Sequence, residues 1–231
     1  MAKITRPKPA DGVHALVYPP DPGRVEAIFR RFEAITPRPL PELAFKDPFT
    51  LLAAVMLSAQ TTDKAVNRVT ERLFALADTP QAMTQLGVER VIEAISSIGL
   101  FRNKAKNLIA LSQQLIDRHG GRVPHDRASL EALPGVGRKT ASVVLNELGL
   151  EAAIAVDTHV FRVSHRLGLA NASTPDKVEQ QVFEVTPQWA LARAHHWLIL
   201  HGRYVCLARR PKCASCAIAD LCPSRLVVET A

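Results

Sequence analysis

From Val25 onward apolar residues recur at helical spacing with little interruption, Ala and Leu are abundant, and alternating strand-like runs are scarce. The pattern predicts an all-α fold with helices over 24–36, 49–60, 63–77, 80–86, 88–98, 102–119, 126–133, 137–148, 158–168, 175–185 and 190–202. Gly120, Gly121 and Gly149 stand just past helical runs, where a left-handed C-terminal cap favours glycine. Thr62 or Asp63 suits the N-cap of the third helix, and Asp157 precedes a helix whose apolar face is Val160, Val163 and Leu167, with Val156 and Phe161 at the positions of a hydrophobic staple. Residues 1–22 hold Pro7, Pro9, Pro19, Pro20 and Pro22 and no period that buries a face, so they read as a flexible basic arm. No internal repeat or low-complexity tract is present.

Within this helical pattern the stretch 126–149, DRASLEALPGVGRKTASVVLNELG, breaks a helix and restarts it within a few residues. Pro134 biases Leu133 away from helical dihedrals, Gly135 and Gly137 permit a tight reversal around Val136, and a second helix starts near Arg138 with Ala141, Val144, Leu145 and Leu148 on its apolar face. Such a turn leaves backbone N–H groups at a helix start, where the macrodipole favours an anion, and Arg138 and Thr140 can add side-chain contacts to a phosphate. Taken alone, a glycine turn between helices serves structure more often than binding. Lys139 falls in the first turn of that helix. There the dipole, and partial burial, would favour the neutral amine that a nucleophile requires, since a lysine at about pKa 10.4 is almost wholly protonated at neutral pH. A solvated surface lysine and a purely capping Asp157 remain the alternatives from these residues by themselves.

The 231 residues suffice for one large domain or two small ones without disulfide staples. Lys and Arg number 29 against 22 acidic residues, a formal charge of +7 that favours a polyanionic partner, nucleic acid first, although a charge of this size also serves solubility. All four cysteines, Cys206, Cys213, Cys216 and Cys222, lie in a C-x6-C-x2-C-x5-C run, which is ligand spacing and not a disulfide framework. Four thiolates suit tetrahedral zinc as well as a cubic iron-sulfur cluster. Between the first two cysteines, Arg209, Arg210 and Lys212 form a pinned basic loop suited to phosphates. No apolar N-terminal segment and no run approaching about 18 apolar residues is present, so neither a signal peptide nor a membrane span is expected, and the clustered thiols suit a reducing cytoplasm.

LPGVGRKTA resembles the helix-hairpin-helix motif of DNA repair glycosylases, and its combination with the following VDTHVFRV is similar to the endonuclease III family. The cysteine spacing likewise resembles the C-terminal 4Fe-4S loop of that family, and the resemblance covers about residues 25–225. It implies a bifunctional DNA N-glycosylase and abasic-site lyase of base excision repair, acting on oxidised pyrimidines in double-stranded DNA. Lys139 would attack C1′ of a flipped-out nucleotide, assisted by Asp157. Leu133, Gly135, Val136, Gly137, Arg138 and Thr140 would bind backbone phosphate, and the four cysteines would hold the cluster. LSAQTTD and SIGLFRNKA resemble the segments that fill the gap left by the flipped nucleotide, with Gln60 and Leu100 the corresponding residues and Ile98 assisting. The implied architecture is two helical lobes: a six-helix barrel at 41–151, containing the hairpin at 126–149, and a cluster domain made by 23–40 with 152–231. A monomer, nucleoid-associated in a bacterial-type cytoplasm, is expected. The rivals are a monofunctional adenine glycosylase for mismatches and a non-catalytic DNA-binding or redox-sensing iron-sulfur module. Adjacent His195 and His196 read as structural, or as packing near the cluster, and His159 and Arg162 as approaching substrate or the surface.

Overall fold

The computed structural model describes residues 18–225. Among them the chain forms eleven α-helices and no strand: α1 (Pro22–Ile35), α2 (Pro48–Leu57), α3 (Asp63–Leu76), α4 (Pro80–Leu86), α5 (Val88–Ile95), α6 (Phe101–His119), α7 (Arg127–Glu131), α8 (Arg138–Glu147), α9 (Thr158–Leu167), α10 (Pro175–Val185) and α11 (Leu191–Tyr204). Two 3-10 turns, Cys213–Ser215 and Ala219–Leu221, follow. Six of the helices start where a side chain satisfies an orphan N–H group. Asp21, Asp47, Thr62, Thr79, Asp126 and Asp157 each accept a first-turn N–H, and Pro22, Pro48, Pro80 and Pro175 open their helices where no N–H is missed. Gly120 ends α6 and Gly168 ends α9 in the left-handed conformation.

Helices α2, α5 and α7 end earlier than the hydrophobic pattern predicts, α7 at Glu131 and not at 133. α2 stops at Leu57 because Ser58 to Thr61 form a turn, Thr61 N donating to Ser58 O at 3.0 Å, with Gln60 left-handed at φ 56°. α5 stops at Ile95, and Ile98 lies in the connection to α6, where it is only 4% exposed. Residues 1–17 of the expected basic arm lie outside the described residues. Its last five residues are held, not free: Tyr18 donates to Glu184 Oε2 at 2.8 Å, and Asp21 caps α1.

Buried side chains fall into two clusters. The first is built by α2 to α8, with Leu52, Leu57, Leu73, Leu108 and Leu130 fully covered. The second joins α1 to α9, α10 and α11 around Ile28, Phe29, Val163 and Leu198. Chain order therefore places α1 with the C-terminal helices, and Arg24 and Arg31 of α1 tie it there by donating to the carbonyls of Leu167 and Ala217, each at 2.7 Å. Between the clusters runs a polar seam. Arg203 of α11 pairs with Glu42 and Asp63, Tyr204 donates to Glu42, and His196 Nε2 lies 2.6 Å from Glu147 Oε1 of α8. No helix among the described residues is long and apolar enough to cross a membrane.

Candidate active site

The hairpin is built as a tight reversal. Leu133, Pro134, Gly135 and Val136 form a β-turn closed by Val136 N donating to Leu133 O at 3.1 Å, with Gly135 at φ 77° in its third place. Gly137 has ordinary extended dihedrals, φ −98° and ψ 177°, so the backbone there does not call for glycine. A Cβ built there would meet nothing within 4 Å, and α8 carries no side-chain cap on its first N–H groups. Leu133 and Val136 are 2% and 5% exposed, part of the first core, and can meet a phosphate only through their backbone. Arg138 is exposed, 3.3 Å from Glu179 Oε2 of α10.

Lys139 and Thr140, in the first turn of α8, line a large cavity of about 1250 Å³, which opens along the polar seam. Asp157 and His159 line the same cavity from the start of α9. Lys139 is exposed and borders the open cavity, which corrects the expectation of partial burial. Asp157 is half-buried, and a single oxygen, Oδ1, accepts both cap bonds, from His159 N at 2.8 Å and Val160 N at 2.7 Å.

His195 and His196 belong to this cavity and not to the cysteine segment. His195 is 5% exposed, and its pKa is driven down to about 3, first by burial, then by neighbouring His196, with Lys139 acting in the same sense and Asp157 opposing. It is therefore a neutral imidazole at physiological pH, and its Nδ1 has no hydrogen-bond partner among the described residues. Reasoning from the sequence missed this placement because adjacency on a helix says nothing of which lobe the ring meets. His159 does reach the cavity, whereas Arg162 is a brace, donating to Gly202 O at 2.8 Å and Cys206 O at 3.1 Å.

Gln60 and Leu100, the residues matched to the gap-filling segments, are both exposed, Leu100 by 58%, in the α2–α3 and α5–α6 connections. Ile98 is not available in that way, since its side chain is packed into the first core. Gln60 also borders the main cavity.

The four cysteines are unpaired and border one small pocket beside Leu167, His201 and Arg225. Arg166 Nη1 lies 3.3 Å from Cys206 Sγ, and His201 Nε2 lies 3.8 Å from Cys216 Sγ. Among the described residues no three ligating side chains converge as a site for a single ion. The four thiols bordering one pocket are a donor set that fits an iron-sulfur cluster. The loop between the first two cysteines is pinned by Lys212 N donating to Val205 O at 3.0 Å and by Arg166 donating to Leu207 O at 2.7 Å. Arg209, Arg210 and Lys212 are exposed on it, without a carboxylate partner among the described residues.

An all-helical protein with an uncapped glycine hairpin, and a lysine and an aspartate facing one cavity, defines a class. Its residues 53–188 match the model of the HhH-GPD superfamily of base excision DNA repair proteins. The chain is 52% identical to an endonuclease III of Treponema pallidum (strain Nichols) over 198 residues, 86% of this chain and 94% of that protein. It is 52% identical to an endonuclease III of Escherichia coli (strain K12) over 195 residues, 84% of this chain and 92% of that protein. A solved structure of a trapped endonuclease III-DNA covalent intermediate, an estranged-adenine complex, superposes with a TM-score of 0.83 at 42% identity, over 89% of this chain and 97% of that one. The chain belongs to the endonuclease III family of that superfamily.

Proposed function

We propose that this chain is a bifunctional DNA N-glycosylase and abasic-site lyase of base excision repair, with oxidised pyrimidines in double-stranded DNA as its substrates. The observation that carries the reading is that Lys139 and Asp157 face one cavity directly behind the uncapped start of α8. The hairpin N–H groups and Thr140 take a backbone phosphate beside the lesion, which fixes the register of the duplex without reading its sequence. The flipped nucleotide enters the cavity, and Gln60 and Leu100 fill the space it leaves. An amine attacks carbon only in its neutral form, so Lys139 first gives up a proton, to Asp157 or to water. Nζ then forms a bond to C1′ while the bond from C1′ to the base breaks, the base leaving with that electron pair and a proton. Loss of a further N–H proton as the sugar ring opens gives the Schiff base. Removal of a C2′ proton then expels the 3′ phosphate by β-elimination, and water releases the lysine. With its Oδ1 fixed by the cap, Asp157 keeps Oδ2 for the cavity, where its charge stabilises the electron-poor sugar.

Cys206, Cys213, Cys216 and Cys222 are the proposed ligands of a 4Fe-4S cluster, supported by their common pocket. The cluster would supply rigidity to the basic loop, so that Arg209, Arg210 and Lys212 meet phosphates without ordering first. In this reading the lobes are residues 41–151 and, together, 23–40 and 152–231, with DNA lying along the seam. The protein acts as a monomer in the cytoplasm on nucleoid DNA.

Borohydride trapping on duplex DNA carrying thymine glycol or an abasic site tests the central claim. The wild type is expected to give a covalent adduct, and Lys139→Gln and Lys139→Ala none. Failure of cluster-loaded wild type to form an adduct while it still binds the DNA removes the lyase assignment.

A further inference from the structure

Gln60 and Leu100 share an uncommon backbone state, φ 56° and φ 58°, in the left-handed region that residues with side chains seldom occupy. Such conformations persist where the surroundings over-determine them, and they gather at functional sites. For Gln60 the surroundings are the Ser58 to Thr61 turn, in which the Thr61 hydroxyl also donates to Ala59 O at 3.4 Å. For Leu100 they are the start of α6, where its carbonyl accepts from Lys104 N at 3.0 Å.

One residue takes part in both. Lys104 sits one turn into α6, and its side chain reaches back so that Nζ donates to Thr61 Oγ1 at 2.8 Å. The residue is 5% exposed, and burial lowers the pKa of its ammonium. The Thr61 hydroxyl is its hydrogen-bond partner among the described residues. A buried ammonium held by one neutral hydroxyl contributes poorly to folding, because desolvation exceeds what a single bond returns, and an apolar side chain of similar length would fill the same space at lower cost. What the lysine supplies and an apolar chain does not is a directed bond from the helix that carries Leu100 to the turn that carries Gln60.

We propose that Lys104 is a positioning residue that locks the Gln60 turn in register with Leu100, so that the two enter the duplex as one preformed wedge. This rests on the reading that Gln60 and Leu100 occupy the gap left by a flipped nucleotide. Registering the two in advance removes the ordering cost at the moment of insertion, and the benefit is confined to DNA in which a nucleotide leaves the stack. Binding to an intact duplex, carried by the hairpin and the basic loop, draws nothing from it.

The test uses the cluster-loaded full chain and two duplexes of one sequence, one undamaged and one with a tetrahydrofuran abasic analogue facing 2-aminopurine. Thr61→Ala, which deletes the acceptor without touching the buried lysine, and Lys104→Met are each expected to weaken binding of the analogue duplex about tenfold, equivalent to about 1.4 kcal/mol. Both should lower the 2-aminopurine fluorescence gain and leave affinity for the undamaged duplex unchanged. Thr61→Ser, which keeps the hydroxyl, is expected to bind like the wild type. Equal weakening on both duplexes would show a merely structural bond, and an unchanged Thr61→Ala would remove the lock; either overturns the proposal. Should Lys104→Met fail to fold, the two Thr61 variants decide. A wild type that does not prefer the analogue duplex would instead refute the flipping reading itself, a result separable from failure of the lock.

Discussion

In the proposed mechanism Asp157 has two duties, one on each oxygen. Both helix-capping bonds fall on Oδ1, so an amide that presents one carbonyl oxygen in the same place keeps the cap while losing the negative charge. Asp157→Asn is therefore expected to unfold in urea close to the wild type, yet to excise oxidised pyrimidines about 100-fold more slowly or worse, the scale of a lost acid-base or electrostatic group. Asp157→Ala should show the same loss of rate and, in addition, a stability lower by about 1 kcal/mol from the missing cap. An Asn variant with full rate would reduce Asp157 to a capping residue. Exposure makes Lys139 a simpler case: no core packing depends on its side chain, so its substitutions report on chemistry with little contribution from folding.

The helices owe their legibility to local chemistry. Apolar spacing, Thr62 and Asp157 ahead of their helices and Gly120 after α6 act within a turn or two and need no knowledge of the rest of the chain. The hairpin was legible for the same reason, with Pro134 and Gly135 dictating the turn, although Gly137 has extended dihedrals that any residue adopts. Interactions between elements were not legible. Lys104 and Thr61 are 43 positions apart, and nothing in the letters around Lys104 separates a buried lysine from a solvated one. The same holds for Gly202 of α11, which reads as an unfavourable residue inside a helix. Here a Cβ would stand 2.9 Å from His159 Cβ and 3.3 Å from His159 O, so the glycine lets α11 close on α9. Because one obstacle is backbone, Gly202→Ala is expected to lose about 1–3 kcal/mol in urea unfolding, and a variant as stable as the wild type would show that the helices can separate freely. The basic loop gives a further test at this scale. Replacing Arg209 and Lys212 with Ala should lower the slope of log affinity against log salt by about 0.9 for each phosphate no longer neutralised, measured on undamaged duplex, with no change if the two are merely solvated.

At the scale of the molecule, two apolar cores meet across a seam of charged and titratable groups, and that seam should make stability depend on pH. His195 is the clearest contributor. Its pKa falls from the ordinary 6.5 to about 3 in the folded protein because burial disfavours the imidazolium. Between those two values the unfolded chain binds a proton that the native protein refuses, so its stabilising effect is complete above 6.5 and declines as pH falls toward 3. Glu42 enters lower down: burial raises its pKa, but hydrogen bonds from Tyr204 and Arg203 outweigh that and hold it below its usual 4.5, so its contribution fades only in stronger acid. Between about pH 6.5 and 4.5 His195 therefore outweighs Glu42, removing up to about 1.4 kcal/mol per pH unit. Urea unfolding of the wild type across that interval should show the decline, and His195→Gln, with no proton to refuse, should show a slope shallower by roughly one proton. Parallel slopes in the two proteins would mean that water reaches His195 and that the seam is open at its base. Steep slopes would mean that the floor of the cavity is dry, so that a charge developing between Lys139 and Asp157 is screened little from either residue.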